Sequence, residues 1–126
     1  MAELNPHRQN SAANIMTEGE KTPILIFTNS FHAGGSERQA VELVKFLNRA
    51  RFQIHLACFH KEGALSQELQ GELDNVRSYP LSGFSNATAV RQALPFLTFL
   101  RQVQIQVVQC FDFYTNLFAI PLARLA

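Results

Sequence analysis

The sequence predicts an α/β fold, a parallel sheet with helices on both faces. Three observations predict it. Short continuous apolar runs such as Ile24-Leu25-Ile26-Phe27-Thr28 mark strands buried on both faces. These runs alternate, over four cycles, with longer segments whose apolar residues recur at helical spacing. With 126 residues, 47% of them hydrophobic and 17% charged, the chain has a globular composition and the length of one domain.

Residues 1–22 are polar and without sustained period, and are expected to be a disordered leader. The domain is expected over residues 23–126, where the character changes at Pro23. Its first strand, Ile24–Thr28, runs into Asn29-Ser30-Phe31-His32-Ala33-Gly34-Gly35-Ser36, a loop of small and turn-forming residues. Ser36 is expected to cap the helix that follows, with Glu37 in the first turn favoured by the helix dipole. Ala40, Leu43, Val44 and Leu47 then recur at i, i+3, i+4 and i+7, which predicts an amphipathic helix over Glu37–Ala50. Gln53–Phe59 reads as the second strand, His60-Lys61-Glu62-Gly63 as a turn, and Ala64–Gln70 as a short helix. A weak third strand, Asn75–Tyr79, ends at Pro80. Ser85 or Asn86 is expected to cap the next helix, whose stripe is Val90, Ala93, Leu94, Leu97 and Leu100. Pro95 lies within that stripe and predicts a kink or a restart. Ile105–Cys110 is the fourth strand. The segment from Tyr114 onward is apolar on nearly every side, so a buried helix disturbed at Pro121 is expected.

Eleven basic residues against ten acidic ones leave a net charge of +1, which disfavours nucleic acid and anionic membranes as partners. Cys58 and Cys110 each sit in an apolar run without a CxxC pair, so two buried free thiols are expected. The four histidines have no ligand spacing, and no metal site is expected. His55, alternating within a strand, reads as structural. No apolar stretch approaches the roughly 18–20 residues of a membrane span. No secretory h-region precedes residue 22, and a cytoplasmic location is the default expectation.

The loop after the first strand is where chemistry is expected. In open parallel sheets, ligands bind beyond the carboxyl ends of the strands. Gly34-Gly35 would sit there, next to a helix N-terminus, removing side chains where a bulky group must approach and exposing consecutive N–H groups. With the helix dipole aimed into the same space, the arrangement suits phosphate. A tight strand-to-helix turn is the alternative reason for two glycines. The P-loop pattern is absent, and so are GxGxxG and an acid ending the second strand, which disfavours a nicotinamide cofactor.

On these residues the chain resembles the opening of family 4 glycosyltransferases of the GT-B fold. The resemblance rests on ILIFTNSFHAGGSERQAVELVKFLNRARFQIHLACF, with Gly34-Gly35-Ser36-Glu37 as the glycine-glycine-x-glutamate motif, and more loosely on IQVVQCFDFYTNLFAIPLARLA. It implies a Rossmann-like N-terminal, acceptor-side domain. It also implies that Gly34 and Gly35 offer backbone N–H groups to the diphosphate of a nucleotide-sugar donor. Ser30, Phe31 and His32 would line the cleft on the acceptor side, and Glu37 would position the loop or meet ligand. Family members often carry histidine just after the fourth strand, where this chain has Cys110-Phe111-Asp112. Asp112 would contact the acceptor, handle a proton, or simply cap the following helix, with Tyr114 and Asn116 on the same rim.

The GT-B fold needs a second Rossmann-like domain, whose paired-glutamate motif grips the donor and has no counterpart in this sequence. The expectation is therefore an N-terminal fragment, its sheet cut short after the helix following strand four. The parent would be a retaining transferase moving sugar from a nucleotide-sugar to a glycan or lipid-linked acceptor hydroxyl. No cofactor or metal is expected. The fragment itself is expected to be inactive, and a position at the inner membrane face would suit a lipid-linked acceptor. A stand-alone nucleotide- or phosphate-binding module remains the alternative.

Overall fold

The computed structural model describes residues 19–71, 75–83 and 87–126. The chain folds as β1 (Thr22–Thr28), α1 (Gly35–Phe46), β2 (Phe52–Cys58), a 3₁₀-helix (Ala64–Leu69), β3 (Val76–Ser78), α2 (Ala87–Val103), β4 (Val107–Cys110) and α3 (Phe113–Leu125). The four strands form one parallel sheet in the order β3-β2-β1-β4. The predicted α/β class is the observed one. Residues 1–18 of the expected leader and the expected caps Ser85 and Asn86 lie outside the described residues. Thr22, placed in that leader, instead opens β1, opposite Phe52.

The continuous apolar run of β1 has the predicted cause. Leu25 and Phe27 face a cluster containing Phe96, Phe99 and Leu100 of α2 and Phe118 and Ala119 of α3. Ile26 faces the other way, into Ala40, Val41 and Val44 of α1 and Leu65 and Leu69 of the 3₁₀-helix. Both faces of the central strand are thus dry, and period-2 alternation has no water to register. The first face is built from aromatic rings. Phe27 stacks on Phe96 with centroids 5.5 Å apart and meets Phe59 edge-on at 5.0 Å. Such pairs stabilise by about 0.5–1.5 kcal/mol beyond their burial.

Two local expectations are corrected, at Ser36 and in the last helix, and of the two alternatives at Pro95 the restart is excluded. Ser36 is not the N-cap of α1: the helix begins at Gly35 behind Gly34, whose backbone is extended, and no side chain caps it. Pro95 neither ends nor restarts its helix, for α2 runs through it. Helical proline deprives the carbonyl four residues back of its partner. Here Pro95 and Arg91 are both exposed, so water can take that role. α3 is also not buried all round: only Thr115, Phe118 and Ala119 are buried, while Phe113 is 72% exposed and Tyr114, Leu117 and Leu125 also face solvent. An all-apolar helix has no amphipathic stripe from which its buried side could be read.

Candidate functional site

The strand order creates the site. From β1 the chain moves to β2 and β3 on one side, then returns through α2 to set β4 on the opposite side of β1. The switch point therefore lies between β1 and β4, where ligands of open α/β sheets bind at the carboxyl ends. Phe27 and Cys110 are paired across the two strands, so the loops 29–34 and 111–112 leave the sheet side by side. Gly34, Gly35, His32 and Glu37 come from the first loop and helix start, and Asp112, Tyr114 and Asn116 from the second.

The first loop is held by its own polar groups. Thr28 Oγ1 donates to the carbonyl of Ser30 at 3.2 Å, and the His32 N–H donates to Ser30 Oγ at 3.3 Å. The Gly34 N–H donates to the His32 carbonyl at 2.8 Å, and the Gly34 carbonyl accepts from Arg38 N at 2.9 Å. One of the two glycine amides expected to meet phosphate is therefore already engaged. The amides of Gly35 and Ser36 donate to no group among the described residues, as the orphan donors of a helix start do. Neither Gly34 nor Gly35 has positive φ, so no left-handed turn demands them.

The two glycines then part company. A Cβ at Gly34 would collide with Glu37 Oε2, because that carboxylate folds back over the loop and accepts from Ser36 Oγ at 2.9 Å. A side chain at Gly34 would have to displace the end of the Glu37 side chain, so packing favours a glycine there without demanding one. A Cβ at Gly35 would meet no heavy atom within 4 Å, and the residue is exposed. Neither backbone conformation nor internal packing requires a glycine there.

The remaining candidates divide. His32 is exposed at the loop, but Phe31 is 0% exposed, packed among the residues under α1. Its ring is core and not cleft wall, a correction to the expected acceptor-side lining; an apolar side chain in a polar loop turned inward because the sheet's second face needed cover. Ser30 is likewise buried and serves the loop. Asp112 is the N-cap of α3, in a reciprocal box with Thr115. Its Oδ1 accepts from Thr115 N at 3.0 Å, its Oδ2 from Thr115 Oγ1 at 3.0 Å, and its carbonyl from Asn116 Nδ2 at 2.8 Å. The helix-capping reading thus accounts for both carboxylate oxygens. Tyr114 is exposed and packs edge-on against Phe113.

Cys58 is buried and Cys110 half-buried, both reduced. Burial pushes each thiol up to about 11, so neither is a thiolate nucleophile near neutrality. No three metal-ligating side chains gather among the described residues, and no helix among them is long and apolar enough to cross a membrane.

One participant was missed. Gly63, read only as a turn residue, has φ +130°, and a Cβ on it would fall on the Phe31 carbonyl and the His32 nitrogen. The turn that carries it is bonded to the loop at both ends: Phe31 N donates to the Glu62 carbonyl at 2.8 Å, and Leu65 N to the Phe31 carbonyl at 2.9 Å. A lone glycine after His60-Lys61-Glu62 gives no sequence signal of such a contact.

A parallel α/β sheet with a glycine loop opening a helix at its switch point defines a Rossmann-like domain. A model of the family described as Glycosyltransferase Family 4 matches residues 33–126, spanning Gly34-Gly35-Ser36-Glu37 and the strand β4 with its helix, and the chain belongs to that family. The domain is of the GT-B N-terminal type. No curated protein and no solved structure matches the chain.

Proposed function

We propose that this chain is the acceptor-side domain of a retaining GT-B glycosyltransferase that moves a sugar from a nucleoside-diphosphate donor to a glycan or lipid-linked acceptor hydroxyl. The observation that carries it is Gly35. It is a glycine that the fold does not need, placed beside free amides at a helix N-terminus and at the switch point of the sheet. A phosphate drawn there would meet about half a positive charge from the helix and two unsatisfied donors. Gly34 and Glu37 set the loop behind that position. Donor-phosphate contact accordingly falls to the Gly35 and Ser36 amides, with Gly34 acting through its backbone. The departing diphosphate would be stabilised electrostatically, by donors already in place when charge develops.

His32 and Asn116 stand at the mouth on the acceptor side, with Tyr114 on the rim. The nucleoside and the transferred sugar would be held by a second domain bearing the family's paired glutamates. A cytoplasmic location, at the inner membrane face where the acceptor is lipid-linked, goes with this reading.

Two measurements test it. The chain incubated with a panel of nucleotide-sugars should release no nucleoside diphosphate above a buffer control. It should bind inorganic pyrophosphate and a nucleoside diphosphate about equally, because the groups that read the nucleoside are elsewhere. A strong preference for the nucleoside form would favour a self-sufficient nucleotide-binding module, and turnover by the chain alone would refute the half-site reading.

A further inference from the structure

We infer that Gly63 is a positioning residue for the glycine loop: it sets the place of the Gly35 and Ser36 amides without touching ligand. The inference rests on the diphosphate reading of that loop. Gly63 lies against the Phe31–His32 peptide so closely that only a hydrogen atom fits between them. That peptide is tied to the turn and anchored in the core, so it cannot shift without disturbing the loop. The Phe31 ring is fully buried, its N–H is bonded to Glu62, and its carbonyl accepts from Leu65. From this peptide the displacement would pass along a short relay. The His32 carbonyl accepts from Gly34 N, and the Gly34 carbonyl accepts from Arg38 N in the first turn of α1. Moving His32 therefore moves the helix start.

The turn that carries Gly63 is itself anchored. Ser66 Oγ donates to the Gly63 carbonyl at 2.7 Å, and Leu65 and Leu69 are buried beneath α1. Glu68 of the same 3₁₀-helix is bonded to Arg38 of α1 at 2.7 Å and to Lys45 at 3.4 Å. These exposed pairs are individually weak, yet they join the same two elements as the backbone contacts. The 3₁₀-helix and its turn thus form a brace under the loop, clamped to α1 at one end and to Phe31 at the other.

The test compares Gly63→Ala with Gly71→Ala in the full chain. Gly71 also has positive φ, +88°, but a Cβ there meets open space, so it places alanine at a positive-φ glycine without the contact. Amide spectra of the ligand-free proteins should show Phe31 to Gly35 displaced in Gly63→Ala and unmoved in Gly71→Ala. The Kd for inorganic pyrophosphate should rise at least about tenfold in Gly63→Ala, since small misplacements of binding groups carry large penalties, and stay unchanged in Gly71→Ala. A folded Gly63→Ala protein with Phe31 to Gly35 in place overturns the inference. If wild type fails to bind pyrophosphate, the diphosphate reading falls, while the ligand-free spectra still decide whether Gly63 positions the loop. Should Gly63→Ala not fold, Ser66→Ala is the milder probe. It should speed hydrogen exchange at Phe31 and Leu65 but not at Ile26, and unchanged exchange at those two amides overturns the inference.

Discussion

At the scale of single residues, buried polar atoms show most clearly what the fold tolerates. His55 sits on β2 against the edge of the Phe99 ring, with centroids 5.7 Å apart, and its Nε2 is buried without a partner. Arg77 lies over the same ring at 4.2 Å. Burial, and secondarily the Arg77 charge, hold the imidazole below its ordinary pKa. A base whose pKa is depressed on folding favours the folded state only while neutral. That stability is complete above the unfolded value of about 6.5 and is lost as pH falls through the lower folded value. We predict that the melting temperature declines on acidification from about pH 6.5, and that His55→Phe flattens this decline. Identical profiles for the two proteins would contradict it.

The same scale shows what could be read in advance. His55 was legible as structural because alternation within a strand assigns it to the sheet. Phe31 was not, because a loop has no period from which the direction of a side chain follows. Gly34 and Gly35 look alike in sequence, and only the Glu37 carboxylate folded over Gly34 tells them apart.

At the scale of elements, the strands and helices follow from periodicity to within a few residues, and the errors concentrate at proline and at caps. At Pro95 the helix continues where a restart was one of two expectations, because sequence shows the missing N–H but not which side of the helix faces water. Pro121 behaves likewise inside α3, on an exposed turn above exposed Leu117. Asp112 presented two readings in sequence, a chemical one and a capping one, and the reciprocal bonds with Thr115 show the second. Replacing Asp112 by alanine should lower the stability of the chain by about 0.5–2 kcal/mol, the usual range for a lost N-cap, with Asp112→Asn losing less. Denaturant midpoints decide this, and an unchanged midpoint in Asp112→Ala would show that the cap contributes nothing.

At the scale of the molecule, a double-covered parallel sheet places two loops at one switch point, and everything proposed about function depends on that placement. The architecture was legible because four apolar runs alternate with four helical stretches, a pattern few folds share. The site was legible only as a neighbourhood, since the sequence put glycines at the correct end of the sheet without saying which amide is free. Its brace was invisible, because all of α1 and β2 lie between Phe31 and Gly63 in sequence and the two meet only through the backbone. The apolar surface on α3, with Val107 on the edge strand β4, likewise emerged only from the folded chain, since composition does not say which apolar residues stay outside.

The most direct measurement is an amide-resolved titration of the full chain with a nucleoside diphosphate, repeated on Gly35→Val. The largest perturbations are predicted at Gly35 and Ser36, with smaller ones in residues 29–34 and 111–112. Gly35→Val should abolish them while its melting temperature stays close to wild type, because the new side chain enters open space. The account is contradicted if the perturbations centre elsewhere, for example on the cavity between β4, α2 and α3 lined by Leu100, Val108 and Ala123. Undiminished binding by a folded Gly35→Val protein would contradict it equally.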